Sequence, residues 1–158
     1  MTSYEWRGGF SNRELEALHA EGFGHAITGF DWQECLHGHS LGWVCARLDG
    51  GPGSASGSEP GSEPGAGPGS ELVGFVNVAW DGGSHAFILD TVVAGRARRA
   101  GIGTELVALA ARHAGEAGCE WLHVDFGDHL VGFYHNSCGF APTRAGLIRL
   151  AGPGTGTR

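Results

Sequence analysis

No lysine occurs anywhere in this chain of 158 residues, and its ten basic side chains are all arginine. A P-loop needs a lysine behind its glycines, so that route to a nucleoside triphosphate is closed. The bias itself points to a GC-rich bacterial genome. Seventeen acidic residues leave a net charge of -7, which excludes bulk attraction to nucleic acid or to an anionic membrane, although a local basic cluster could still hold an anion. No apolar run approaches the roughly 20 residues that a membrane helix needs. The N-terminus, with Glu5, Arg7, Arg13 and Glu14, lacks the charged start and apolar stretch of a secretory signal, so a cytoplasmic location is expected. The four cysteines, Cys35, Cys45, Cys119 and Cys138, form no C-x-x-C pair, which disfavours a zinc ribbon or a redox motif. Cys35, His37 and His39 stand close together, but a structural zinc site wants a fourth ligand. A polar helix end is expected there, and no metal.

What the chain has in abundance is glycine, 30 residues, without the three-residue period of collagen. Many fall in the segment 50–70, which is almost purely Gly, Pro, Ser, Ala and Glu and repeats Ser-Glu-Pro-Gly at 58–61 and 62–65. Such a stretch cannot bury a core and reads as a flexible insert. Strand patterns on either side, 41–48 and 72–80, make it a swollen hairpin loop in a single domain spanning 1–158. The length suits one core.

Further elements follow from local signals. Residues 4–7 suit a short strand, and Ser11-Asn12-Arg13-Glu14 is a capping box opening a helix toward the glycines at 22 and 24. A short helix is expected over 31–37 and a strand over 85–93 after the turn Asp81-Gly82-Gly83. Ile102, Leu106, Leu109, Ala110, His113 and Ala117 recur at helical spacing. A strand over 121–126, a helix over 128–138 and a last strand over 146–150 complete the order β-α-α-β-β-β-α-β-α-β. This is an α/β chain with a mixed, mostly antiparallel sheet and helices on both faces.

Between the strand 85–93 and the next helix lies Arg96-Ala97-Arg98-Arg99-Ala100-Gly101-Ile102-Gly103. Unpaired N–H groups and the helix dipole at such a start favour an anion, glycines allow close backbone approach, and clustered arginines suit a polyphosphate. The same glycines would also serve a plain tight turn. The third glycine of a dinucleotide fingerprint is replaced by Leu106, so NAD is disfavoured along with ATP. Arg98-Arg99-Ala100-Gly101-Ile102-Gly103 resembles motif A of the GNAT superfamily of N-acyltransferases, Q/R-x-x-G-x-G/A. Phe133-Tyr134-His135-Asn136-Ser137-Cys138-Gly139-Phe140 matches that family's F-Y-x-x-x-G-F. The pair is specific, and the element order agrees with the GNAT fold over most of the chain. Two departures are Ala94-Gly95, where a proline often follows the strand, and Asp128, where an asparagine is common.

The resemblance implies a sheet splayed between its fourth and fifth strands, with acetyl-CoA in the splay as co-substrate. Its pantetheine would pair with the backbone of Val92 and Val93, and its pyrophosphate would rest on Arg98, Arg99, Ala100, Gly101, Ile102 and Gly103. An amine would attack the thioester directly. Tyr134, a phenol protonated at neutral pH, would serve as acid for the departing thiolate. For the base, Asp90 is the first candidate, with His123, Asp125 and bound water as alternatives. The acceptor would be a small-molecule or peptide amine, with Trp6, Phe10, Phe30, Trp32 and Trp80 as candidate pocket walls. No nucleic acid or membrane partner is implied, and a homodimer is allowed. The competing readings are a GNAT-like acyl-CoA sensor without turnover and a plain nucleotide-binding module.

Overall fold

A computed structural model describes residues 1–50 and 70–150. Five strands form one sheet in the order β1-β2-β3-β4-β5: β1 Thr2–Trp6, β2 Ser40–Asp49, β3 Ser70–Trp80, β4 His85–Val93 and β5 Trp121–Val124. The first four pair antiparallel and β5 joins β4 in parallel. Helices α1 (Asn12–Phe23), α2 (Trp32–His39) and α3 (Ile102–Glu116) cover the two faces. β2 and β3 are buried along most of their length, as strands covered on both faces must be. Trp43 and Phe75 meet Phe10 on one face, while Gly74 lies against Ile102 and Leu106 of α3 on the other.

The expected capping box forms. Ser11 Oγ accepts from the Glu14 N–H at 3.2 Å, and Glu14 also takes the buried Arg47 guanidinium through two contacts of 2.7 and 2.8 Å. One carboxylate thereby starts α1 and fastens it to β2. At the other end Gly24 adopts a left-handed conformation, φ 70°, and both Gly24 and His25 donate their N–H to Ala20 O. This glycine turn folds the chain back over the last turn of α1.

Three expected elements differ in form. β5 stops at Val124, two residues early. The helix expected over 128–138 is a 3₁₀ turn, Asp128–Leu130, followed by a π-helix, Gly132–Ser137. The Cys138 N–H donates to Phe133 O at 3.0 Å, a five-residue spacing that sequence periodicity does not distinguish from an α-turn. The last strand over 146–150 does not form: residues 141–150 have no regular structure, and Leu147, Ile148 and Leu150 are exposed. Alternating apolar residues make a strand only where a neighbouring edge completes their hydrogen bonds.

The expected insert lies, for 51–69, outside the described residues. Asp49 and Ser70, at its borders, are register partners in β2 and β3. Replacing 51–69 by a two-residue turn is expected to keep the melting temperature within a few degrees, since loop closure depends only weakly on length; calorimetry checks this.

Burial pushes the Cys45 thiol up to about 12 from an ordinary 9.0. Its folded value lies above its unfolded one, so the neutral thiol's contribution is complete below pH 9 and is lost as pH rises toward about 12. Chemical denaturation across that range should show stability falling more steeply for the wild type than for Cys45→Ala.

Candidate active site

β4 and β5 are paired only from His85–Trp121 to Ile88–Val124, and beyond that point they part. The register of β4 against β3 also shifts between Phe75–Val92 and Asn77–Leu89, which leaves Asp90 and Thr91 in a bulge. Asp90 there has φ 55°, a left-handed conformation that costs a non-glycine residue about 1–3 kcal/mol. A cleft of about 1210 Å³ opens in the wedge between the strands.

The cleft collects the residues singled out from the sequence, with one exception. Asp90, Val92, Val93, Arg98, Arg99, Gly101, Ile102, Gly103 and Tyr134 line it; Ala100 does not. Ala94 donates its N–H to Val73 O at 2.8 Å on the β3 side. By strand alternation, Val93 turns its N–H and C=O toward the cleft while the Val92 peptide faces β3. Val92 packs its side chain on α1 at Gly22, and the Val93 carbonyl accepts from Arg98 Nε at 3.1 Å.

Gly101 precedes α3 in a left-handed conformation, φ 80°, and no side chain caps the helix. The first-turn N–H groups therefore point out unsatisfied, as an anion requires. Arg98 and Arg99 are exposed at this mouth, whereas Arg96 forms an ion pair with Glu71 and stands apart from the cleft. The chemistry suits a diphosphate at the helix end and an apolar chain running inward past Val93 and Ile102.

Tyr134 lies at the inner end, its ring stacked on Phe126 at 4.6 Å and met edge-on by Phe133 and Phe140. Burial pushes its phenol above 10.0, and the nearby Thr91 hydroxyl offsets this only in part. The two hydroxyls close no proper hydrogen bond: Thr91 Oγ1 is buried without a partner. Tyr134 thus stays protonated through neutral pH, with the Thr91 side chain beside its hydroxyl.

Asp90 is held from two sides. His19 Nε2 of α1 approaches Oδ1 at 3.1 Å, and Asn77 Nδ2 of β3 lies 3.5 Å from Oδ2. Asn77 is itself oriented by the Ser40 hydroxyl, which donates to its Oδ1 at 2.6 Å. Asp125 also faces the cleft. His123 instead stacks on Phe87 and meets His85 Nδ1 at 2.8 Å through Nε2. His19 was not separable from the apolar stripe of its helix in the sequence. The one available signal was its position beside Leu15 and Leu18, where a histidine is partly buried and needs a partner.

The expected aromatic walls are displaced. Phe10 and Trp32 belong to the core, Trp6 stacks on His113 of α3 at 4.4 Å, and Trp80 donates its indole N–H to Gly83 O at 2.9 Å. Phe30 is exposed and packs edge-on to Trp32. Phe23, Leu89, Phe126 and Leu130 line the cleft in their place. Among the described residues no cluster of metal-ligating side chains occurs, and His37 Nδ1 lies 2.7 Å from Gln33 O.

Comparison with known proteins agrees with this geometry. The family model described as "Acetyltransferase (GNAT) family" matches residues 12–140. No curated protein matches the chain. Among solved structures, a GNAT family acetyltransferase from Streptococcus pneumoniae TIGR4 superposes with TM-score 0.63 at 22% identity, covering 96% of this chain and 98% of that one. Glucosamine-6-phosphate N-acetyltransferase from Arabidopsis thaliana gives TM-score 0.62 at 13% identity, covering 94% and 98%. The structure of AAC(6')-Iy in complex with the bisubstrate analogue CoA-S-monomethyl-acetylneamine gives TM-score 0.60 at 16% identity, covering 96% and 98%. At these identities the likeness establishes the fold.

A Val side chain at position 101 cannot hold φ 80° without strain of about 1–2 kcal/mol, and it would crowd the open helix end. Gly101→Val is expected to bind CoA roughly tenfold or more weakly in calorimetry while its circular dichroism stays native.

Proposed function

The chain belongs to the GNAT acetyltransferase family, and from that premise we propose that it transfers an acetyl group from acetyl-CoA to a primary amine of a small molecule or peptide, by direct attack within one domain. The observation that carries this reading is the continuity of the cleft. One opening runs from the uncapped start of α3, past Val93, to Tyr134 on one wall and Asp90 on the other.

The residues fit the co-substrate. Backbone N–H groups at the start of α3, with Arg98 and Arg99, would hold the diphosphate, and the Val93 backbone would pair with the pantetheine amides. Bound acetyl-CoA supplies an activated acyl carbon and a thiolate leaving group. The Tyr134 hydroxyl donates its proton toward the departing sulfur, a role that its burial favours by keeping the phenol protonated. Asp90 accepts the proton that the attacking nitrogen must shed. Two carboxylates on the cleft wall, Asp90 and Asp125, draw a cationic amine toward the reacting centre. A solved structure of similar fold, AAC(6')-Iy, holds a bisubstrate analogue that joins CoA to an acetylneamine, which supports CoA as the co-substrate here.

A panel of primary amines assayed with acetyl-CoA and a thiol-release readout tests the reaction. Acetyl-CoA that binds but yields no CoA with any amine would fit the sensor reading instead. With an accepted amine, Tyr134→Phe keeps the ring and its packing and should lower kcat by roughly 10²–10⁴-fold with acetyl-CoA affinity near wild type. Unchanged turnover in a chemistry-limited assay would make the tyrosine a packing residue.

A further inference from the structure

The carboxylate of Asp90 does not end in solvent. Behind it stands a line of two histidines. His19 Nε2 lies 3.1 Å from Asp90 Oδ1, His19 Nδ1 lies 2.6 Å from His25 Nε2, and His25 Nδ1 lies 2.8 Å from Ala26 O. The first ring is largely buried, its side chain 14% exposed, and it is clamped between Phe23 and Trp32 at 4.4 and 4.7 Å. The second ring is exposed. The array therefore leads from the cleft wall to the surface.

Counting hydrogens fixes how the array behaves. A carbonyl only accepts, so His25 carries its proton on Nδ1 and, as a neutral ring, presents a lone pair at Nε2. His19 must then donate from Nδ1. A neutral His19 is left with a lone pair on Nε2 facing a carboxylate oxygen, and two acceptors at 3.1 Å repel. With two neutral rings and an ionised Asp90 the line is short by one proton. It is completed when one more arrives, which is what a base serving an amine must receive.

We infer that His19 and His25 form the proton exit of Asp90, a relay that this chain adds to the acetyl transfer proposed above and that rests on that reading. Asp90 takes one proton from the attacking nitrogen and passes it to His19 Nε2. His19 gives its Nδ1 proton to His25 Nε2, and His25, now an imidazolium at the surface, releases its Nδ1 proton to water, after which both rings turn over to restore the starting tautomers. One proton enters, one leaves, and no electron changes hands. His25 is brought into line by the left-handed Gly24 at the end of α1, and Asp90 by the bulge in β4. Among the described residues, the charged groups that share the cleft with Asp90 are Asp125, Arg98 and Arg99. Phe23 and Trp32 are the other rings packed on His19. Asn77 is the neutral partner of Asp90 on β3. Glu16, one turn back on α1, is taken up by Thr28 and Gly29, and Glu21 accepts the Gly95 N–H.

Two measurements on the full chain test the relay. The first needs no amine: nitrogen-15 NMR titration of the histidine rings. The inference expects the His25 midpoint to move in His19→Gln and the His19 midpoint to move in both Asp90→Asn and His25→Gln; midpoints that ignore all three substitutions overturn it. The second uses acetyl-CoA with the fastest amine of the panel. His19→Gln should lower kcat roughly 10- to 100-fold with the KM for acetyl-CoA unchanged. The loss should shrink as pH rises and be partly restored by added imidazole, while Tyr134→Phe gains nothing from imidazole. A His19→Gln enzyme with the wild-type rate and pH profile sinks the relay but leaves acetyl transfer standing. A wild type that binds acetyl-CoA and releases no CoA with any amine removes both.

Discussion

Hydrogen bonding between β4 and β5 stops at Ile88 and Val124, and the working parts of the molecule depend on that stop. Two parallel strands that stay paired present only side chains to a ligand. Two that part present backbone as well. The bulge at Asp90 and Thr91 reinforces the parting, because an extra residue in β4 turns its far end away and increases local twist. The strain at Asp90 is affordable because both neighbours of β4 at its near end, β3 and β5, hold the strand in register.

Around this wedge the rest of the fold acts as a frame. α1 is fixed to the sheet by the Glu14–Arg47 pair, whose partners are partly withdrawn from solvent and hydrogen-bonded at 2.7 and 2.8 Å. Pairs of this geometry position elements more than they add net stability. What the pair positions is the helix that carries His19 to Asp90. On the opposite face, α3 rests on β3 through Gly74, whose missing side chain lets Ile102 and Leu106 come close. The uncapped start of α3 is thereby set at the mouth of the wedge.

Much of this was legible in the sequence because the signals are local. The capping box at Ser11, the helical spacing from Ile102 and the arginine-glycine run at 96–103 each state their conformation within a few residues, and each formed. The pairing of Phe133-Tyr134 with Gly139-Phe140 located the inner wall for the same reason. What was not legible depends on contacts between distant segments. Whether 146–150 becomes a strand depends on an available edge, and the π-helix over Gly132–Ser137 occurs together with a Tyr134 ring stacked on Phe126 from the strand end before it. The aromatic residues of the first helices sort into core and cleft only once the sheet exists, so Trp32 and Phe10 went inside while Phe23 stayed at the wall. His19 and His25, six positions apart, become neighbours only through the turn at Gly24.

That turn has an evolutionary side. Gly24 has nothing within 4 Å of where a Cβ would stand, so no packing argument protects the position and a survey of contacts would rank it as free to vary. Its constraint is handedness alone. An achiral residue there lets two imidazoles meet, so the array could decay to an ordinary helix end by a single codon change.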